Sequence, residues 1–76
     1  MNNPRRKLLN EIKAKLDELK CDIELIRDEE QEYIDNMPEN LTDSEKASTA
    51  ENAVSEIEEA MELVESACSS IDNSME

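Results

Sequence analysis

Apolar residues recur through the first half of the chain at alternating intervals of three and four: Leu9, Ile12, Leu16, Leu19, Ile23, Ile26, Tyr33 and Met37, interrupted at Glu30. This spacing is the heptad seam of a helix that packs on another helix. The second half answers with Ala50, Ala53, Val54, Ile57, Ala60, Met61, Val64, Ala67, Cys68 and Ile71, a broader stripe containing the seven-residue alanine row Ala53, Ala60 and Ala67. The pattern therefore predicts two long helices that pack together.

The boundaries follow from local chemistry. Asn3 is a suitable N-cap with Pro4 at the first helical position, where a missing N–H costs nothing. The first helix is expected over 4–36, because Pro38 pushes Met37 out of the helical region and supplies no donor for another turn. A linker follows over 37–41. Thr42, Asp43, Ser44 and Glu45 read as a T-x-x-E capping box, so the second helix is expected over 43–72. Nearly equal lengths of roughly 50 and 45 Å suit a hairpin. A short linker also permits helices to be exchanged between two subunits.

Pairing about that linker places residue i near residue 79 − i, within about one turn. Ile26 is then expected against Ala53, Leu19 against Ala60 and Ile12 against Ala67, large on small, which allows close approach of the helices. Val54, Met61 and Cys68 fall on a flanking row with Leu63, and we expect these four at an oligomer interface. Stripes covering three positions in seven suit a four-helix bundle. The expected architecture is a single domain, 1–76: an all-α, antiparallel two-helix hairpin, coiled-coil-like, that self-associates into a helical bundle.

Charge supports the antiparallel orientation. Residues 1–27 carry a net +2 and residues 28–76 a net −15, for −13 over 76 residues. An antiparallel pair sets the basic start of one helix beside the acidic end of the other. Lys13, Lys20 and Arg27 recur every seven residues and are expected to reach Glu56, Glu59 and Glu62 or their neighbours. Exposed pairs of this kind contribute a few tenths of a kcal/mol each.

The inventory of reactive side chains is thin. There is no His, Gly, Trp or Phe and one Tyr, so no nucleophile, base and orienter can be assembled, and an enzyme is not expected. No cofactor is implied. The carboxylates Asp28, Glu29, Glu30, Glu32 and Asp35 lack the spacing and glycine of a calcium loop, and zinc and di-iron sites want histidine. Cys21 and Cys68 lie about ten residues out of register, roughly 15 Å at the helical rise, beyond the ~7 Å that a disulfide spans. No run approaches the ~20 apolar residues of a membrane span, and Met1–Lys7 does not lead into a signal-peptide core. A soluble protein of the reducing cytoplasm is the expectation.

Three features are candidates for function, each with a plainer alternative. Glu30 breaks the seam beside Arg27, Tyr33 and Lys46. That layer reads either as a ligand pocket, with Tyr33 for stacking and Arg27 and Lys46 as anion clamps, or as a polar layer that fixes register. Arg5, Arg6 and Lys7 form a basic cluster at a helix N-terminus, able to touch phosphate or simply to solubilise the end. Direct nucleic-acid binding is not expected from a chain of this charge without an aromatic platform. The acidic face of the second helix, Glu51, Glu58, Glu59, Glu62 and Glu65 with Asp72, is either a solvated face or a DNA mimic for a basic groove.

The segments R-R-K-x-L near the start, E-E-Q-E-Y-I-D-N-M-P-E-N-L-x-x-S-E from Glu29 to Glu45, and A-E-x-A-V-x-x-I-E-x-A from Ala50 resemble a group of small uncharacterised acidic helical-hairpin proteins of Gram-positive bacteria and their phages and mobile elements. The resemblance implies a phage or mobile-element accessory that inhibits host defence, by blocking a host protein or by sequestering a small signalling nucleotide. It implies no particular site residues. The partners expected are a second copy of the chain and either a basic host protein or a small anionic nucleotide. Alternatives are an acidic DNA-mimic inhibitor and a structural coiled-coil scaffold or adaptor that recruits another helix.

Overall fold

A computed structural model of the chain describes residues 1–38 and 44–76. Two helices, α1 (Asn3–Asp35) and α2 (Glu45–Ser74), run antiparallel and pack along their length as an all-α hairpin. The rod measures 59 × 15 × 12 Å. Its radius of gyration is 17.4 Å, against about 11 Å for a compact domain of this length.

The helix ends fall within two residues of expectation. The cap of α1 is Asn2 rather than Asn3: its Oδ1 accepts from the Arg5 N–H at 2.9 Å, and Pro4 sits in the first turn, where it removes only an N–H that has no helical acceptor. The helix closes at Asn36, whose N–H bonds the Glu32 carbonyl at 3.0 Å. Helix α2 starts at Glu45 behind Ser44, whose Oγ accepts from the Ala47 N–H at 3.2 Å. Thr42 and Asp43 of the expected capping box, and linker residues 39–41, lie outside the described residues. At the far end α2 runs two residues past the expected stop, to Ser74.

The seam differs from expectation in one respect that matters. Along α1 the partly covered residues are Arg6, Leu9, Lys13, Leu16, Lys20, Ile23, Arg27, Glu30, Ile34 and Met37, an unbroken three-four alternation. The central row is Leu9, Leu16, Ile23, Glu30 and Met37, as read from the pattern. Its companion is a row of four cations that ends in Ile34, whereas the expected second row stays open: Ile12 is 47 % exposed, Leu19 54 %, Ile26 56 % and Tyr33 42 %. The expected burial of Ile12, Leu19 and Ile26 against alanines is therefore not made within one chain.

The reason lies on the opposite edge. Lys13 bonds Asp72 at 2.8 Å, Lys20 reaches Glu65 at 3.5 Å and Arg27 reaches Glu58 at 3.9 Å, a ladder with a seven-residue step on both helices. Glu58, Glu65 and Asp72 thus replace the expected Glu56, Glu59 and Glu62. The cation stems lie over the seam and carry their charged ends to these acids. In each pair the residue numbers add to 85 rather than 79. Side chains lean toward the N-terminus of their own helix, so in an antiparallel pair the tips meet between offset Cα atoms. The backbone register therefore lies nearer 79 than the ion pairs alone indicate.

From α2, Ala47, Ala50, Val54 and Cys68 are buried, with Ile57, Met61, Val64 and Ile71 half-buried. No residue of α1 is buried. Among the described residues no helix is long and apolar enough to cross a membrane.

Candidate functional site

The turn end of the hairpin carries an open groove of about 660 Å³ between α1 and the first turns of α2. Glu30 and Tyr33 form one wall, and Glu45, Lys46, Thr49, Ala50 and Ala53 the other. Small residues on α2 make the space: Ala50 and Ala53 stand where a longer side chain would fill it. The Lys46 ammonium lies 5.8 Å from the centroid of the Tyr33 ring, within cation–π range. A second hollow of about 370 Å³ lies beyond this pair, against Asn36, Met37 and Pro38.

The five residues expected to bind an anionic ligand do not gather. Tyr33 and Lys46 meet, but Arg27 sits on the ion-paired edge. There its Nε bonds Asp28 at 2.8 Å, and its terminal nitrogens lie 3.7 Å from Glu24 and 3.9 Å from Glu58. Arg5 and Arg6 belong to the opposite end of the rod, about 40 Å away by helical rise. The groove itself holds one cation against two carboxylates, Glu30 and Glu45, so a single chain does not present an anion clamp.

The oligomer residues expected from the pattern are also dispersed. Val54 and Cys68 are buried between the chain's own helices and Met61 is half-buried there, whereas Leu63 points away at 64 % exposure. The acidic face remains outward. Glu58 and Glu65 flank the seam beside Arg27 and Lys20, while Glu51, Glu59 and Glu62 make no ion pair among the described residues.

Sequence reasoning missed a polar cluster in the lower half of the hairpin. Lys13 donates to both Asp72 oxygens at 2.8 Å, and the Cys68 thiol donates to Asp17 Oδ1 at 3.6 Å. The hydrogen bond to Asp72 holds the Lys13 ammonium pKa above its ordinary value. Burial, with the Asp17 charge behind it, pushes the Cys68 thiol up. Both shifts oppose nucleophile chemistry, since a reactive thiol or amine needs a lowered pKa. The seven-residue spacing of Glu58, Glu65 and Asp72 is the signal that locates this edge. Among the described residues, no group of three His, Cys, Asp or Glu side chains converges as a metal site.

No protein-family model matches the chain, and neither a curated protein nor a solved structure does.

Proposed function

We propose that this protein is a non-enzymatic, self-associating helical binding protein that blocks a partner by presenting its acidic faces to a basic protein surface. The observation that carries the reading is the charge layout. The half-buried Lys13, Lys20 and Arg27 are met by acids along one edge, and among the described residues every other carboxylate except the half-buried Glu30 is exposed on a net −13 chain. A rod of one charge sign steers and holds a partner of the other sign. The resemblance over 29–45 supports placing it among phage or mobile-element accessories that inhibit host defence.

A second reading rests on a different observation. Tyr33 and Lys46 meet at an open groove, and enclosure of a small anionic nucleotide would use that pair as platform and counter-charge. Native mass spectrometry of protein purified gently from a bacterial host separates the two readings. Acidic-face blocking predicts a co-purifying basic protein that is released as NaCl rises from ~0.1 to ~0.5 M, because exposed charge contacts are screened. Release is also expected when Glu51, Glu59 and Glu62 are changed to Gln. A retained nucleotide-sized mass, lost in Tyr33→Ala, refutes blocking and favours sequestration.

A further inference from the structure

The edge of the hairpin opposite the ion-pair ladder is an apolar surface built to one repeat. On a helix of ~3.6 residues per turn, Ile12, Leu19, Ile26 and Tyr33 lie about 50° from the central row of α1, on the side away from the cations. On α2 the row Ala53, Ala60, Ala67 lies about 100° from Val54, Met61 and Cys68, on the side away from Glu58, Glu65 and Asp72. Because the cation and acid rows meet on one edge, the aliphatic and alanine rows share the other. Both step by seven.

Leaving this surface wet costs more than the ladder returns. The three ladder pairs are solvent-accessible and contribute little. Leaving Ile12, Leu19 and Ile26 about half-uncovered forgoes more apolar burial than those pairs return. Total area agrees: the chain exposes 5786 Å², whereas a compact monomer of its mass exposes about 4,700 Å². The excess of about 1,000 Å² compares with the ~800 Å² that each partner contributes to a standard interface.

We infer that a second copy of this chain covers the open edge, about a two-fold axis parallel to the helices. Ile12, Leu19 and Ile26 of each copy then pack on Ala67, Ala60 and Ala53 of the other, closing a four-helix bundle. Rotation about such an axis preserves height along the rod. A residue of α1 therefore meets the other copy's α2 at the register it has with its own, between the 79 − i of Tyr33 and Lys46 and the 85 − i of the ion pairs. The large row lands on the small row twice, once in each direction, as an isologous interface requires. Every neighbouring pair of helices is antiparallel, and both ion-pair ladders face outward on opposite sides, which keeps the two acidic edges apart. Leu9, Leu16 and Ile23 turn toward the bundle axis. This assembly does not depend on what the acidic faces bind: its failure would remove self-association from the proposed function and leave acidic-face blocking to be judged on its own experiment.

Sedimentation equilibrium of the full chain at about 100 µM is the first test, with a mass of twice 8.7 kDa expected. A single-chain mass overturns the inference. Leu19→Glu is expected to weaken association at least ~100-fold by placing a charge in the contact, while Leu63→Glu, on the outer face, leaves the mass unchanged. Loss of the dimer in Leu63→Glu but not in Leu19→Glu overturns the proposed face.

Cross-linking tests the axis without relying on a destabilising change. In a Cys21→Ser, Cys68→Ala background, Leu19→Cys chains are mixed with Ala53→Cys, Ala60→Cys or Ala67→Cys chains, refolded together and oxidised. The expected result is a disulfide-linked dimer formed best with Ala60→Cys. Efficient linking of Leu19→Cys to itself would place α1 against α1 and overturn the arrangement, as would failure of all three mixtures.

Discussion

Replacing Glu30 with leucine should stabilise the protein. Glu30 occupies the central row between Ile23 and Met37, is half-buried, and has no hydrogen-bond or ion-pair partner among the described residues. The groove in front of it, about 660 Å³ and walled by Ala50 and Ala53, has room for an aliphatic side chain. Overpacking therefore does not offset the gain. Full burial of a leucine contributes ~1.5–3 kcal/mol, and a half-covered position about half of that, or about 1 kcal/mol. Removing one acid from a net −13 chain acts in the same direction. For a domain of this size 1 kcal/mol corresponds to roughly 4–8 °C in Tm. Circular dichroism at about 222 nm reads the change, with wild type and Glu30→Leu melted at one protein concentration because association raises Tm by mass action. An unchanged or lowered Tm would refute the reasoning and assign the Glu30 carboxylate a stabilising partner.

Other outcomes follow from the same packing. Val54→Ala, at a position 6 % exposed, should cost about 1–2 kcal/mol, read as a lower urea midpoint with unchanged slope. Iodoacetamide should label Cys21 promptly and Cys68 only as the chain unfolds, since Cys21 is exposed and Cys68 buried with its thiol pKa raised; equal rates would contradict the packing. Stability should fall in alkali. Above the ordinary thiol value of 9.0 the unfolded chain releases the Cys68 proton while the folded chain keeps it, and above 10.5 the same holds for Lys13. Urea titrations between about pH 8 and 11 check this sign. Raising NaCl from ~0.05 to ~0.5 M should raise Tm, because relief of net repulsion outweighs three exposed ion pairs; a fall would mean that the ladder dominates.

Much of the fold was legible because each helix declares itself through a repeat sustained over several heptads, with proline and capping residues near its ends. The caps moved by one or two residues because Asn2 and Asn3 offer the same oxygen one position apart, and Ser44 caps as well as a threonine would. The companion of the central α1 row was harder to read. Two rows flank Leu9, Leu16 and Ile23, one aliphatic and one cationic, and periodicity ranks the aliphatic one first. The decision rests on the opposite helix, where acids spaced at 58, 65 and 72 meet the cation row at the same seven-residue step. The same roll separated Arg27 from Tyr33, two residues that sequence reasoning joined because they are less than two turns apart. Tyr33 and Lys46 stayed together because both flank the turn.

The ends of α1 have a consequence for how the chain folds. The first turn holds no acid and the last no base, while Arg5, Arg6 and Lys7 crowd the start and Glu32 and Asp35 the finish. This order opposes the helix dipole at both ends. Alone, α1 is a helix electrostatically set against itself. Beside it, the acidic C-terminal half of α2 brings charge of the opposite sign toward the start. Helix formation in α1 is thus conditional on its neighbour, so the rate-limiting step of folding should be the meeting of two distant segments rather than the growth of a local helix.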